Sequence, residues 1–599
     1  MRSPARVLNS LTKHSQTTEY RFERLYRILF NEEMYYLAYQ RIYAKPGNMT
    51  QGADGETIDR MSLFRIEKLI LSLKDESYSP QPSRRVHIPK KNGKTRPLDV
   101  PSFDDKLVQE VVRMVLEAIY EGHFEDTSHG FRPHRSCHTA LNVVQKTFTG
   151  KKWFIEGDIK GFFDNVNHDI LIDILKKRIS DERFIRLIRK FLKAGYLERW
   201  QFHGTYSGMP QGGIISPVLA NIYLDKLDKY MKEYAAGFDR GNRVRACREY
   251  EVLTYQKRLV MRELKTATND VERKVLVNRL KEIDKTRSAM PCFAPMDRNF
   301  KRLKYVRYAD DFLIGIIVSK VKIKDDIKRF LADRLALELS DEKTLVTHTE
   351  KPAKFLGYEV TVRRSNLQKR NKRGNLSRVY GNKVRLKVTT EVIKKKLLEL
   401  GVLKFSYHNG HEQWIPKHRS ELINNDDLEI LDGYNAEIRG FYNYYSIANN
   451  ASELNTFHYI MQYSMYKTFA GKYRTTVRRI CRKYKRNGVF TVGYTVKNGK
   501  AKERRLYNEG FKRKRPSYDR SVDRCPNPMP GVSTTSLIDR LKAQKCELCG
   551  ATDNLVMHHV RKLGELKGKE NWEKLMIARR RKTMAVCGSC HQKIHHGTF

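Results

Sequence analysis

Two adjacent acids interrupt an apolar stretch of this chain. Residues 303–318 read as strand, yet Tyr308, Ala309, Asp310 and Asp311 set a YADD tetrapeptide in their middle. Carboxylates there lose hydration unless the backbone turns them outward or they hold cations. A turn at the tetrapeptide makes the flanks two strands of a hairpin, with the acids at its tip. An acidic surface turn is the plainer reading, since Asp favours turns. The chemical reading is more specific: two adjacent carboxylates joined by a third can bracket two magnesium ions about 4 Å apart and stabilise both oxygens of an in-line phosphoryl displacement.

Charge narrows the partner. Lys and Arg number 116 against 68 Asp and Glu, a formal net charge of +48 over 599 residues. The natural partner of such a chain is a polyanion. A membrane surface is the alternative to nucleic acid, but no run approaches the ~18 apolar residues of a span and no lipidation signal is visible, so no membrane partner is expected. This length suggests three or four domains at about 150 residues each. Residues 1–18 lack acid and read as a basic arm, which leaves a bacterial cytoplasm or an organelle (mitochondrion or plastid) open. Cys137, Cys247, Cys292, Cys481 and Cys525 scatter, as buried thiols of a reducing compartment do. Cys546, Cys549, Cys587 and Cys590 instead crowd the C-terminal end.

Residues 19–120 are helix-rich, and residues 84–101 read as two basic strands joined by a turn at Asn92 and Gly93, a hairpin able to fold over a triphosphate. Residues 153–157 form an apolar strand followed by Asp158, Gly161 breaks the pattern, and residues 168–179 have helical periodicity. Residues 232–301 are densely charged and predict a helical surface insertion. Phe355, Leu356, Gly357 and Tyr358 open a further extended segment that closes the first unit near 362. Beyond a basic, Gly-punctuated loop at 363–375, helical patterns occupy 390–400 and 426–450, the second dense in tyrosine. Such an aromatic face serves either a core or stacking on RNA bases. Residues 465–525 are strongly basic, and 526–535 read as a linker.

Asp158 is the best third carboxylate, because it ends an apolar strand and precedes a Gly turn. Asp164 and Asp169 suit a turn and a helix start instead. Between the acids lies a side-chain-poor turn, Pro210, Gln211, Gly212 and Gly213, whose glycines let a backbone approach a base pair closely. The order of strand with acid, helix, PQGG turn, helix and acidic hairpin resembles that of reverse transcriptases, and within them the group II intron-encoded proteins. SHGFRP at 128–133, GDIKGFFDN from Gly157, PQGG at 210–213, YADD at 308–311 and FLGY at 355–358 carry the resemblance, which covers nearly the whole chain.

The resemblance implies an α+β multidomain protein. The fingers and palm of a right-hand polymerase would occupy 1–362, and an α-helical thumb (maturase domain X) 363–480. A basic DNA-binding region and linker would follow over 481–535, and a small ββα-metal HNH zinc module over 536–599. Asp158, Asp310 and Asp311 would ligate Mg2+ in a two-metal polymerase site, and the partners would be a group II intron RNA, a target DNA and dNTPs, with a homodimer left open. Chemistry nominates Lys90 and Arg96 on the basic hairpin for the incoming triphosphate. Phe162 or Phe163 could press on the sugar and exclude a 2′-hydroxyl. Gln211 would line the template and nucleotide pocket, and Arg132 suits that pocket or a structural anchor.

Cys546 and Cys549 form one CxxC, and Cys587 and Cys590 a second, the pattern of a closed tetrahedral Zn2+ site. A tail of about 60 residues buries little core, so zinc would supply its folding energy. A structural zinc ribbon is the simpler account. The histidines argue for more: His558 and His559 lie between the knuckles, and His591 and His595 stand at i, i+4 on one helical face. The arrangement resembles HNH endonucleases, which implies His559 as general base and His558, His591 and His595 as ligands of a catalytic divalent ion, with Mg2+ expected. The central Asn of that family is missing before the second CxxC, leaving Lys582 or Asn571 to replace it. Adjacent histidines on a regular strand face opposite sides, so a bend or bulge is expected there.

The chain therefore reads as a multifunctional enzyme: RNA-directed DNA polymerase, splicing maturase and DNA endonuclease. A non-catalytic RNA-binding splicing factor of the same descent is the alternative. Its marks would be a degraded YADD or lost cysteines, and both motifs are intact.

Overall fold

The apolar flanks of the tetrapeptide form an antiparallel hairpin, Arg302–Tyr308 with Asp311–Ile317, in the computed structural model of the chain. The structure describes residues 3–597 apart from 45, 90–94, 295, 296, 298, 318–320, 364–367, 371–373, 375, 379–381, 496–500, 524–536, 562 and 580. The second strand of the hairpin pairs with Trp153–Asp158, which pairs in turn with Leu345–His348, giving a four-stranded antiparallel sheet. Alternation sends Leu303, Tyr305, Phe312, Ile314 and Ile155 into one core, and Val306, Leu313 and Phe154 into another. Both faces are covered, which is why these strands read as nearly unbroken apolar runs.

The first core is built with the buried helix Phe103–Tyr120 and the helix Ser216–Phe238. Leu537, Ile538, Leu541 and Met557 from the C-terminal module join it. The second core holds the tyrosine-rich helix Asp427–Tyr445, where Tyr434, Tyr442 and Tyr445 are buried, so this aromatic face is a core face.

FLGY forms the turn between Ala353–Phe355 and Tyr358–Arg363, and Lys383–Lys387 completes a sheet of three strands. That sheet straddles residue 362, so packing is continuous across the expected domain limit. The second core likewise runs through Tyr484, Phe490, Leu506 and Phe511 and crosses the limit expected at 480. The described residues of 481–511 are basic outside, as at Arg482, Lys485 and Lys502, and apolar inside, as at Phe490 and Leu506.

The insertion is a helical hairpin, Arg248–Thr266 and Asp270–Ala289, closed at its base by a bridge between Arg240 and Lys301. Helix Ser216–Phe238 runs on through residue 232, so the insertion begins where that helix ends. The basic hairpin pairs Ser83–Pro89 with Thr95–Val100. Lys90, Asn92 and Gly93 of its turn lie outside the described residues, as does the linker at 526–535. Among the described residues, no helix is long and apolar enough to cross a membrane.

Candidate functional sites

Tyr308 and Asp311 are the last cross-strand pair of the acidic hairpin, leaving Ala309 and Asp310 as its turn. Ala309 has φ +56°, a left-handed value that costs a residue bearing a Cβ about 1–2 kcal/mol. Asp158 is the direct cross-strand partner of Asp311, so the three acids meet at one end of the sheet. Burial, then the charges of Asp310 and Asp158, push the Asp311 carboxyl up to about 7. Burial also raises Asp310. Asp311 is nonetheless exposed, so water reaches it and screens part of the repulsion. Lys343 relieves it from one side, its Nζ 2.7 Å from Asp158 Oδ2. An all-oxygen, all-anionic donor set fits a hard divalent cation.

Arg307 holds the turn from beneath. It forms a buried ion pair with Asp228, Nε donating to Oδ1 at 2.8 Å and Nη2 to Oδ2 at 2.5 Å. The remaining donors reach Asn221 Oδ1 at 3.2 Å, Ser128 Oγ at 2.7 Å and the Ala309 carbonyl at 2.8 Å. Asn221 in turn donates to the Gly130 carbonyl at 2.8 Å. A Cβ on Gly130 would stand 2.2 Å from Ala309 N, so only glycine permits SHGFRP to lie against the acidic turn. Arg132 is the anchor of that segment, donating to the carbonyls of Glu125 and Ser128 and pairing with Glu121.

Two of the nucleotide candidates, Arg96 and Gln211, meet in one chain of contacts. Arg96 Nε donates to Gln211 Oε1 at 3.2 Å, and Gln211 Nε2 donates to Asp164 Oδ1 at 3.3 Å. Asp99 N donates to the Gln211 carbonyl at 2.8 Å, which fixes the PQGG turn to the basic hairpin. Gly212 has φ +135°, and a Cβ there would stand 2.2 Å from the Asp99 carbonyl oxygen. The positive charge of Arg96 also reaches Asp310. Phe162 is in the core at 2% exposure, whereas Phe163 is half-buried, so Phe163 is the ring available to a ligand. Lys90 lies outside the described residues.

In the C-terminal module, strands Leu555–His559 and Thr583–Cys587 pair and lead into helix Gly588–His596. The four cysteines bring their Sγ atoms within 4.8 Å of one another. Burial raises the Cys546 thiol but backbone N–H groups outweigh it and bring it down to about 7, whereas burial pushes the Cys590 thiol up. His558, His591 and His595 form a second cluster, joined by Asp59. His559 is not in it. The strand pairs regularly through His558 with Met584 and His559 with Thr583, so the two histidines face opposite ways without a bend or bulge. His559 is buried, with Nε2 2.7 Å from Tyr39 Oη, and burial lowers its imidazole to about 3. From helix Asn571–Arg579 it is Trp572 whose ring meets His558.

Three family models match this chain. Reverse transcriptase (RNA-dependent DNA polymerase) spans 88–255, type II intron maturase 382–515, and AI2M/AI1M-like HNH endonuclease 546–591. The chain is 43% identical to the group II intron-encoded protein LtrA of Lactococcus lactis, over 100% of both chains. The chain is a group II intron-encoded protein. Further relatives are a COX1/OXI3 intron 1 protein of Saccharomyces cerevisiae, 34% identical over 96% of this chain and 69% of that one, and protein YkfC of Escherichia coli, 34% identical over 58% of this chain and 84% of that one.

This group II intron-encoded protein thus joins reverse transcriptase, maturase and HNH endonuclease regions in one multifunctional chain. The reverse transcriptase match ends inside the helical insertion, before the acidic hairpin. Sheet pairing brings that hairpin back to Asp158. Sequence reasoning missed Arg307, Lys343, Tyr39 and Asp59. Arg307, a charge inside an apolar run next to the acids, carried a signal; Lys343 and Asp59 sit in ordinary polar contexts, and Tyr39 is one of several tyrosines on a buried helix face.

Proposed function

We propose that this group II intron-encoded protein extends a DNA strand at the acidic hairpin, with Asp158, Asp310 and Asp311 as ligands of Mg2+. The cross-strand pairing of Asp158 with Asp311, beside Asp310, carries the reading. Mg2+ bound there would neutralise the triphosphate and favour an ionised 3′ oxygen. Lys343 holds the Asp158 carboxylate beside Asp311. Arg96, with Lys90 from the same basic hairpin, meets the dNTP triphosphate. Gln211 lines the pocket, and Phe163 stands against the sugar. In right-hand terms, fingers and palm occupy 1–362, and the thumb runs past 480 to the end of the maturase match at 515.

In the module, the four cysteines hold Zn2+ and fold it. His558, His591 and His595 hold a divalent ion, which would stabilise charge on the scissile phosphate. His559 Nε2 accepts the proton of the attacking water. With its intron RNA bound, the protein nicks target DNA and copies RNA from the 3′ end it has made. Its place is a bacterial cytoplasm or an organelle.

Primer extension on an RNA template and nicking of target DNA test the split. Asp310→Ala should abolish synthesis and spare nicking, and His559→Ala should do the reverse. Undiminished synthesis by Asp310→Ala would defeat the assignment.

A further inference from the structure

Asp59 lies in the amino-terminal region between helices Glu32–Ile42 and Leu63–Lys74, 500 residues from His559 in sequence. Its carboxylate nevertheless sits among the histidines of the module. Oδ2 is 3.0 Å from His591 Nε2 and 2.9 Å from His595 Nε2, and Oδ1 is 3.5 Å from His558 Nδ1. Atoms bound at about 2.1 Å to one ion stand roughly 3.0 Å apart at octahedral and roughly 3.4 Å at tetrahedral angles, so these separations need little adjustment. A second observation points to a ligand: among the described residues neither buried ring nitrogen of His558 has a hydrogen-bond partner, Nδ1 having only the 3.5 Å approach of Asp59 Oδ1. An imidazole left in that state costs about 1–3 kcal/mol unless one nitrogen is taken up.

Given the nuclease reading, on which this step rests, we infer that Asp59 is a fourth protein ligand of the ion held by His558, His591 and His595, and that it shuts the nuclease while in place. A fourth, anionic protein ligand takes up a position on the ion that water or the scissile phosphate would otherwise occupy and offsets part of the charge the ion offers to that phosphate. A scissile phosphate oxygen is itself an anionic donor and competes for the position the carboxylate fills.

The same region also covers the base. His559 N donates to Asp59 Oδ1 at 2.8 Å, and Tyr39 Oη lies 2.7 Å from His559 Nε2. His559, at 5% exposure, faces protein instead of solvent. Met557 N donates to the Met61 carbonyl at 2.8 Å, which fixes the strand beside Asp59. Cleavage then requires the module to part from the amino-terminal region and Asp59 to give way to DNA phosphate.

The test uses the full chain with zinc in its cysteine site. Asp310→Ala and Asp311→Ala are added so that the polymerase centre takes no metal, and Mn2+ is titrated by calorimetry. His595→Ala should weaken Mn2+ binding about tenfold or more, and Asp59→Asn comparably. Asp59→Asn keeps an oxygen for the His559 N–H, so the module can still dock. If His595→Ala loses the ion and Asp59→Asn does not, Asp59 is no ligand and this inference fails alone. If neither variant changes binding, the three-histidine reading itself fails.

Nicking of supercoiled plasmid by the full chain with its polymerase centre intact, at saturating Mg2+, reads the second half. Asp59→Asn should nick about tenfold faster than wild type, as expected when a minor open state becomes the major one. Tyr39→Phe, which leaves every proposed ligand in place, should shift the rate the same way. A rate for Asp59→Asn equal to or below wild type would overturn the shutting role.

Discussion

Arg307 and Asp228 form an ion pair in which neither side chain has any solvent exposure, and the same guanidinium holds the Ala309 carbonyl at the tip of the acidic hairpin. Removing one member of a buried pair strands the other charge and costs about 3–5 kcal/mol, whereas replacing both with apolar groups is often close to neutral. Arg307→Met should therefore lower the thermal midpoint and abolish primer extension. Arg307→Met with Asp228→Leu should recover most of the midpoint and none of the synthesis, because Ala309 still lacks its donor. Recovered synthesis in the double variant would show that the pair acts on stability alone.

Gly130 tests the same turn from the other side. Gly130→Ala would set a methyl 2.2 Å from Ala309 N, so the hairpin tip must move, at a cost of about 1–3 kcal/mol. Primer extension should fall at least tenfold, roughly what about 1.4 kcal/mol of misplacement does to a rate. Gly122→Ala, with nothing within 4 Å of the added carbon, is the matched control and should behave as wild type.

What the sequence disclosed and what it withheld separate along physical lines. The strand ending at Asp158, the acidic hairpin and the cysteine pairs were legible because a polar residue at the end of an apolar run, or a metal-ligand spacing, is a local signal. The charged helical insertion was legible for the same reason. Periodicity says that a face is buried but not against what, so the tyrosine-rich helix stayed divided between core and RNA stacking until Tyr434 and Tyr442 proved buried. Lys343 and Asp59 act 185 residues from Asp158 and 500 from His559, and nothing near either marks that destination. The core that continues past 480 was hidden because surface charge masks the apolar residues packing inward at Phe490, Leu506 and Phe511.

Phe163 separates two adjacent aromatics that composition cannot tell apart. Phe162 is a core residue near Tyr223, and Phe163 is half-buried, its carbonyl accepting from Met209 N at 2.6 Å. Phe163→Val should relax the preference for dNTPs over rNTPs by about tenfold or more, within the ~100-fold that a steric pocket can enforce against one hydroxyl. Phe162→Val should instead lower stability by about 1–3 kcal/mol and leave the preference alone. Competing dNTP and rNTP incorporation on one template measures both, and the opposite pattern would exchange the two roles.

Zinc removal should separate the two enzymes within the chain. The module's own core is small, with Met576, Met584, Val586 and Ile594 around the cysteines, while Met557 and Ala585 belong to the larger amino-terminal core. A structural Zn2+ contributes about 10–16 kcal/mol of apparent binding energy, more than so small a cluster can replace. Cys587→Ser, at the junction of strand Thr583–Cys587 and helix Gly588–His596, breaks the zinc set and frees the helix bearing His591 and His595. The variant should lose one zinc per chain, all nicking, and protection of the module from proteolysis. Primer extension should stay within about twofold, a change of only about 0.4 kcal/mol, because the acidic hairpin and its support from Arg307 take nothing from the module. A parallel collapse of synthesis would mean that the docked Met557 face holds the amino-terminal core together, and that the nuclease cannot open without disturbing the polymerase.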